Sequence, residues 1–143
     1  MNRFVVDCSV VVSWCFSDED SPCATAVLAA LTSPEAEALA PPIMPLELAN
    51  VLLVAERRGR LSPARSARFL RLLYALPIAF DSASPEQNLD AIAEIGRHHS
   101  LSSYDASYLE LAVREGVPIA SLDDRMRAAA AELGVPVYAP GLS

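Results

Sequence analysis

Two aspartates each follow a short apolar run that has the character of a buried strand. Asp7 ends the run 4–6, and Asp123 ends the run 118–122. The carboxyl ends of strands in an open α/β sheet form the edge at which ligands bind. We therefore expect both carboxylates at that edge. Asp7 could instead be the N-cap of the following helix. For the helix after the second run, Asp124 is the better candidate for the N-cap, so the Asp123 carboxylate is not needed there.

A third acid, Glu47, lies in the predicted helix 45–55, which is apolar almost all the way round and is therefore expected to be buried. Asn50 follows Glu47 by three residues and shares its helix face. An ionised carboxylate on a buried helix is costly unless it is paired or bound to a metal ion. Glu47 is thus either a metal ligand or the partner of an arginine.

The fourth acid, Asp105, stands at the head of an apolar helical stripe that includes Tyr108 and Leu109. It also falls in the first turn of that helix, where the helix dipole favours an anion, so a purely structural role stays open. Glu110 and Arg114 are spaced as an ordinary surface ion pair.

These four acids come from four separate segments, and the chain has no lysine to neutralise them. If they converge, their mutual repulsion calls for a divalent cation, and Mg²⁺ or Mn²⁺ suits an all-oxygen site. Such an ion lowers the pKa of a bound water and neutralises charge on a phosphate. The chemistry that this pattern indicates is metal-assisted hydrolysis of a phosphodiester.

The elements that must position the acids are five predicted strands separated by helices. The strands are predicted at residues 4–7, 37–40, 78–80, 118–122 and 136–139. Helical crossovers between strands imply a mostly parallel sheet covered on both faces. The fold class is therefore α/β, a three-layer α/β/α sandwich with a mostly parallel five-stranded sheet.

Helix boundaries are marked by serine, proline and glycine. A serine followed by proline is typical of a helix start, and helices are predicted to start at the pairs 21–22, 62–63 and 84–85. Glycine in the left-handed conformation is typical of a helix end. Such glycines are expected at positions 59, 116 and 134.

The composition indicates one globular domain over residues 1–143, in which 52% of residues are hydrophobic. No segment has the roughly 20 apolar residues of a membrane helix, and Asp7 interrupts the only candidate signal sequence. Cys8, Cys15 and Cys23 show no zinc or redox spacing and are expected to be buried, reduced thiols. These features predict a soluble, cytoplasmic protein without a membrane segment.

The chain resembles the PIN-domain ribonucleases, and among them the VapC-type toxins of bacterial toxin–antitoxin pairs. Four motifs in the expected order carry this resemblance over nearly the whole length. They are VVDCSV at 5–10, PLELANVL at 45–52, LSSYDASYL at 101–109 and ASLDDRM at 120–126. Cys8 and Ser121 stand where this family often has other small residues.

The resemblance implies that Asp7, Glu47, Asp105 and Asp123 form an acidic site for Mg²⁺, with Mn²⁺ as an alternative. The secondary polar groups beside them are then Ser9, Asn50 and Ser121. It further implies an endoribonuclease that cuts RNA with a metal-activated water and leaves a 5′-phosphate. Whether Asp124 shares the role of Asp123, and whether one or two ions bind, stay open.

The partners implied by the resemblance are RNA, a VapB-type antitoxin and a second copy of the chain. The chain carries a formal net charge of −7, yet residues 57–71 contain six arginines and no acid. Arginines suit phosphate binding, although a solvated helix face would look the same. The candidate RNA-contacting residues are Arg57, Arg58, Arg60, Arg65 and Arg68. The apolar segment 9–31 is the predicted antitoxin groove.

Other residues and other functions have weaker support. His98 and His99 lack a third metal ligand and are expected at an exposed helix end, and Trp14 and Phe16 are expected to pack. The alternatives to a toxin are a PIN nuclease of RNA maturation and a non-catalytic PIN binding module. A small-molecule phosphatase or phosphotransfer domain is disfavoured, because related chemistries on such sheets use a lysine.

Overall fold

The computed structural model describes residues 2–16 and 21–140. The strands are β1 Asn2–Val6, β2 Ala36–Ala40, β3 Ile78–Phe80 and β4 Ile119–Ala120. The α-helices are α1 Cys8–Cys15, α2 Pro22–Thr32, α3 Met44–Arg57, α4 Pro63–Tyr74, α5 Leu89–His99, α6 Ser103–Glu115 and α7 Asp124–Glu132. A 3₁₀ turn, Pro85–Asn88, precedes α5.

The sheet has the strand order β3-β2-β1-β4, and every pair within it is parallel. Phe4 on β1 lies opposite Ala38 on β2, and Val5 lies opposite Ile119 on β4. The side chains of β1 from Phe4 to Val6 are fully buried, as expected for a central strand covered on both faces. The predicted α/β class with a parallel sheet is confirmed, and all carboxyl ends share one edge.

The described residues contain four strands, so the predicted fifth strand is wrong. Residues 136–139 meet the sheet only at a single bridge, between Ile119 and Val137. Pro136 has no N–H to donate, and its neighbour β4 is two residues long, so the ladder cannot extend. Tyr138 instead stacks its ring on Phe4, with centroids 3.9 Å apart.

The serine–proline starts behave in two ways. Ser21 and Ser62 cap α2 and α4, because their hydroxyls accept the N–H groups of Ala24 and Arg65. Ser84 makes no such bond and begins the 3₁₀ turn rather than an α-helix. The three predicted glycine stops are confirmed, since the glycines at 59, 116 and 134 all have positive φ.

Helix α3 is amphipathic, so the expectation that it is buried all round is wrong. Leu48 and Leu52 are buried, but Leu46 and Leu53 are 68% and 49% exposed. The exposed side borders an apolar groove of about 480 Å³ between α3, α4 and β3. No element among the described residues covers that groove, which leaves one apolar side of α3 in solvent.

The histidines and cysteines depart from their predictions in part. The side chain of His99 is only 6% exposed, and its Nδ1 lies 3.1 Å from the Glu132 carboxylate of α7, so only His98 lies at an exposed helix end. Among the described residues no cysteine forms a disulfide, but Cys8 and Cys15 are half-buried rather than buried. Within the described ranges, no helix combines the length and apolar character needed to cross a membrane.

Candidate active site

Asp7 follows β1 directly and is 5% exposed. Its side chain does not cap α1, so the helix-cap alternative is wrong. Instead its Oδ2 accepts hydrogen bonds from the hydroxyls of Ser9, at 2.6 Å, and Ser121, at 2.8 Å. The Ser9 hydroxyl in turn accepts the Leu122 N–H, and the Ser121 hydroxyl accepts the Asp123 N–H. The loop after β4 thereby holds the Asp7 carboxylate in place.

Glu47 lies in the first turn of α3 and is half-buried. Its Oε1 accepts a hydrogen bond of 2.6 Å from the hydroxyl of Tyr108 on α6. Its hydrogen-bonding partner is therefore a tyrosine and not the arginine that the structural alternative required. A neutral donor orients the carboxylate without neutralising its charge.

Tyr108 is a site residue that the sequence placed only in the apolar core. It is fully buried, so its ring does belong to the core, but a buried phenol also needs a hydrogen-bonding partner. The sequence feature that could have indicated a role of Tyr108 in the site is its spacing of three residues from Asp105, which puts both on one face of α6.

Asp105 lies in the first turn of α6, where Ser102 already caps the helix by accepting the Asp105 N–H at 3.1 Å. The Asp105 carboxylate is therefore not needed as the helix cap. Burial, followed by the charge of Asp123, raises the pKa of Asp105 above its ordinary value, and Arg125 offsets part of this effect.

The prediction that Asp124 caps α7 is wrong, because Asp123 is the cap. Asp123 Oδ1 accepts the N–H groups of Arg125, at 2.8 Å, and Met126, at 3.3 Å. The extended backbone of Asp123 suits an N-cap, whereas Asp124 is already helical. Asp124 is exposed. Asp123 thus has a structural task in addition to any role in the site.

The four acids influence one another through their charges. Burial is the largest cause that raises the pKa of Asp7, and the charges of Asp105 and Asp123 raise it further. The pKa of Glu47 is raised by burial and by the charges of Asp7 and Asp105. Burial and these carboxylates also raise the pKa of Cys8 to about 12, so that its thiol stays protonated at neutral pH. The structure therefore brings all four acids into one region.

The donor set of this region fits a hard divalent cation. Carboxylate oxygens are the ligands that Mg²⁺ and Mn²⁺ prefer, and a cation would offset the unfavourable burial of these charges. Over residues 2–16 and 21–140, however, no three side chains of His, Cys, Asp or Glu already stand close enough to share one ion. The residues thus fit the ion chemically, with the carboxylates near one another but not closed into a metal-binding cluster.

Asn50 differs from the other two predicted polar groups in its contacts. Ser9 and Ser121 both bind Asp7, whereas Asn50 is exposed and lines a cavity of about 330 Å³ together with Arg58 and Arg60. The guanidinium of Arg60 lies 4.4 Å from the ring centroid of Phe16 in the same cavity.

The candidate RNA-contacting arginines are all exposed, on the end of α3, the following loop and α4. They are Arg57, Arg58, Arg60, Arg65 and Arg68. Arg65 and Arg68 also line a small cavity beside Trp14, whose indole N–H donates to the Ala24 carbonyl on α2. The arginines form a positive surface beside α1, which begins directly after Asp7.

A second acidic group lies at the same sheet edge, after β3. Arg114 lies 2.6 Å from Asp81 Oδ2 and 2.9 Å from Glu110 Oε2. The expected pair of Glu110 and Arg114 is therefore present, but it is not an ordinary surface pair, because Glu110 is buried and Arg114 also binds Asp81. Hydrogen bonding from Arg114 holds the pKa of Asp81 below its usual value.

Comparison with known proteins identifies the family. The PIN domain model matches residues 4–132. The chain is also similar to the crystal structure of PAE2754 from Pyrobaculum aerophilum, with a TM-score of 0.66 and 21% identity over 90% of this chain and 86% of that one. A search of curated proteins finds no significant match.

The chain therefore belongs to the PIN domain family. PIN domains are generally nucleases, and such nucleases typically use divalent metal ions. The similarity to the Pyrobaculum protein supports the fold.

Proposed function

We propose that this protein is an Mg²⁺-dependent endoribonuclease whose site is formed by Asp7, Glu47, Asp105 and Asp123. The observation that carries the proposal is the burial of mutually repelling carboxylates: burial raises the pKa of both Asp7 and Glu47, and their hydrogen-bond donors are neutral hydroxyls. Keeping such charges buried is unfavourable unless a cation binds them.

In this proposal the chain supplies binding and orientation. Ser9 and Ser121 fix the Asp7 carboxylate, and Tyr108 fixes that of Glu47. When bound, a divalent ion supplies an activated water and stabilises negative charge on the phosphate. Mn²⁺ is the expected substitute, because it also accepts oxygen ligands.

The exposed arginines support RNA as the substrate. Outside residues 57–71 the chain is strongly acidic, so its capacity to attract phosphates is concentrated there. Arg58 borders one cavity on this surface, and Arg65 borders another. We assign these arginines to the RNA backbone, since guanidinium groups bind phosphate oxygens in pairs.

The motifs at the four acids favour a toxin that acts in the cytoplasm and is inhibited by a VapB-type antitoxin. The predicted antitoxin surface 9–31 includes residues 17–20, which lie outside the described residues. The alternatives are a PIN nuclease of RNA maturation and a non-catalytic PIN module.

The apolar groove between α3, α4 and β3 supports the proposed homodimer. Leu53 and Phe80 line this groove and are 49% and 47% exposed. Exposed apolar surface of this kind is typical of a partner interface. Light scattering on the wild type and Leu53→Asp tests it: a dimer that the substitution dissociates supports the interface, and a monomeric wild type contradicts it.

The nuclease is tested by incubating purified protein with a mixed cellular RNA pool in Mg²⁺, Mn²⁺ or EDTA. The variants are Asp105→Asn and the matched control Asp90→Asn, which changes an exposed acid in the first turn of α5. We expect metal-dependent cleavage by the wild type and Asp90→Asn, and its loss in Asp105→Asn. Absence of cleavage by the metal-loaded wild type would contradict the proposal and favour a binding module.

A further inference from the structure

Tyr108 combines complete burial with a hydrogen bond to a carboxylate. None of its surface is exposed, yet its hydroxyl reaches Glu47 Oε1 at 2.6 Å across 61 positions of sequence. Within the described residues, no other hydrogen bond reaches the Glu47 carboxylate, so Oε2 receives none. The Tyr108 hydroxyl therefore fixes Oε1 of Glu47 and leaves Oε2 available to another ligand.

The Asp7 carboxylate shows the same division between its two oxygens. Oδ2 accepts from Ser9 and Ser121, whereas no described donor binds Oδ1. Both of the more buried acids thus have one oxygen bound to hydroxyl groups and one oxygen without a hydrogen bond. All three hydroxyl groups come from elements that border the carboxyl edge of the sheet.

We propose that Tyr108 is a positioning residue of the metal site, which holds the Glu47 carboxylate through Oε1 and would leave Oε2 available to a bound ion. This inference rests on the proposed function. A glutamate has three rotatable side-chain bonds, and ordering it costs conformational entropy. A hydrogen bond from a rigid, buried ring restricts the carboxylate before the ion arrives, which favours binding.

Helix α6 then serves the site twice. This helix carries Asp105, a candidate metal ligand. One turn later it carries Tyr108, which orients the candidate ligand Glu47 on α3. Because the tyrosine ring is packed in the core, its hydroxyl position is set by the fold. The packing of the core therefore sets the orientation of the Glu47 carboxylate through the Tyr108 hydroxyl.

Calorimetric titration with Mn²⁺ tests this role in Tyr108→Phe, which removes only the hydroxyl. The matched control is Tyr104→Phe, because Tyr104 lies on the same helix and is 58% exposed. Loss of a group that orients a metal ligand weakens binding by roughly 10-fold or more. We expect this loss in Tyr108→Phe and no change in Tyr104→Phe.

Saturating Mn²⁺ should restore RNA cleavage by Tyr108→Phe, because the four acids are intact. Equal Mn²⁺ affinity in Tyr108→Phe and the wild type overturns the inference while leaving the nuclease proposal standing. A wild type that binds no Mn²⁺ instead overturns the proposed function.

A second measurement does not depend on the folding of Tyr108→Phe. The near-ultraviolet absorption of tyrosine responds to a charge placed close to its ring. We expect Mg²⁺ to change this absorption equally in the wild type and in Tyr104→Phe, and not in Glu47→Gln. A metal-binding wild type whose tyrosine absorption is unchanged by Mg²⁺ contradicts the placement of the ion beside Glu47.

Discussion

Two groups of acids lie at the carboxyl edge of the same sheet and are treated differently by their surroundings. After β3, Asp81 shares Arg114 with Glu110. After β1, Asp7 is held by two serine hydroxyls, and Glu47 is held by a tyrosine hydroxyl. Arginine lowers the pKa of Asp81, whereas burial raises that of Asp7. Burial of an acid therefore does not distinguish the two groups; the kind of partner does.

Helix α6 contributes to both groups, which makes the comparison direct. Asp105 belongs to the group of Asp7 and Glu47, whose pKa values its charge raises, and Glu110 belongs to the group that Arg114 binds. Arg114 supplies one positive charge for the two carboxylates of the second group and so offsets part of their repulsion. In the first group the hydrogen bonds to Asp7 and Glu47 come from neutral hydroxyls, so a bound cation would offset the cost of ionising these buried carboxyls.

The largest expected difference between the groups concerns stability without metal. Arg114→Met leaves buried Glu110 and nearly buried Asp81 without their cation, which we expect to lower the free energy of unfolding by about 2 kcal/mol. Asp7→Asn removes a repelled charge and keeps an acceptor for Ser9 and Ser121, so we expect no loss. Urea unfolding in EDTA measures the free energy of unfolding of both variants. An equal decrease in the two variants would contradict the distinction between the two groups of acids.

A smaller difference concerns the pH dependence of stability. The folded-state pKa of Asp7 is raised, so the folded protein binds this proton more tightly than the unfolded chain, and stability falls as pH rises through that pKa. Asp81 has a lowered pKa and contributes stability that is lost as pH falls through it. Each unit of pKa shift corresponds to about 1.4 kcal/mol.

Unfolding of metal-free variants between about pH 2 and pH 7 measures both effects, because the folded-state pKa of Asp7 lies above its ordinary value and that of Asp81 lies below it. The stability of Asp7→Asn relative to the wild type should increase with pH, whereas that of Asp81→Asn should decrease. The same pH trend in both variants would show that the two acids do not differ in the way proposed.

Much of the fold could be predicted from local patterns. Apolar runs separated by capped helices are sufficient for a parallel α/β sheet, and the strand at 78–80 has the predicted bounds. The failure of residues 136–139 to pair as the predicted fifth strand could not be foreseen, because pairing depends on the length of the neighbouring β4 and on the missing N–H of Pro136. The side of α3 that faces solvent likewise depends on tertiary packing.

The acids of the candidate site could be selected in sequence by their apolar surroundings, but their hydrogen-bonding partners could not. Tyr108 has the spacing of a core residue, and only the fold shows that its hydroxyl meets Glu47. Asp123 and Asp124 are chemically identical neighbours, so the cap was decided by backbone conformation. The buried contact of His99 with Glu132 depends on the approach of α7 to α5.

Calorimetric titration with Mg²⁺ tests the central claim most directly, using the wild type, Asp7→Asn and Asp81→Asn at neutral pH. We expect the wild type and Asp81→Asn to bind Mg²⁺ alike. Binding by Asp7→Asn should be weaker by more than about 100-fold, because loss of an orienting group alone costs about 10- to 100-fold. Equal binding by Asp7→Asn and the wild type, or no binding by the wild type, would contradict a metal site at the buried acids.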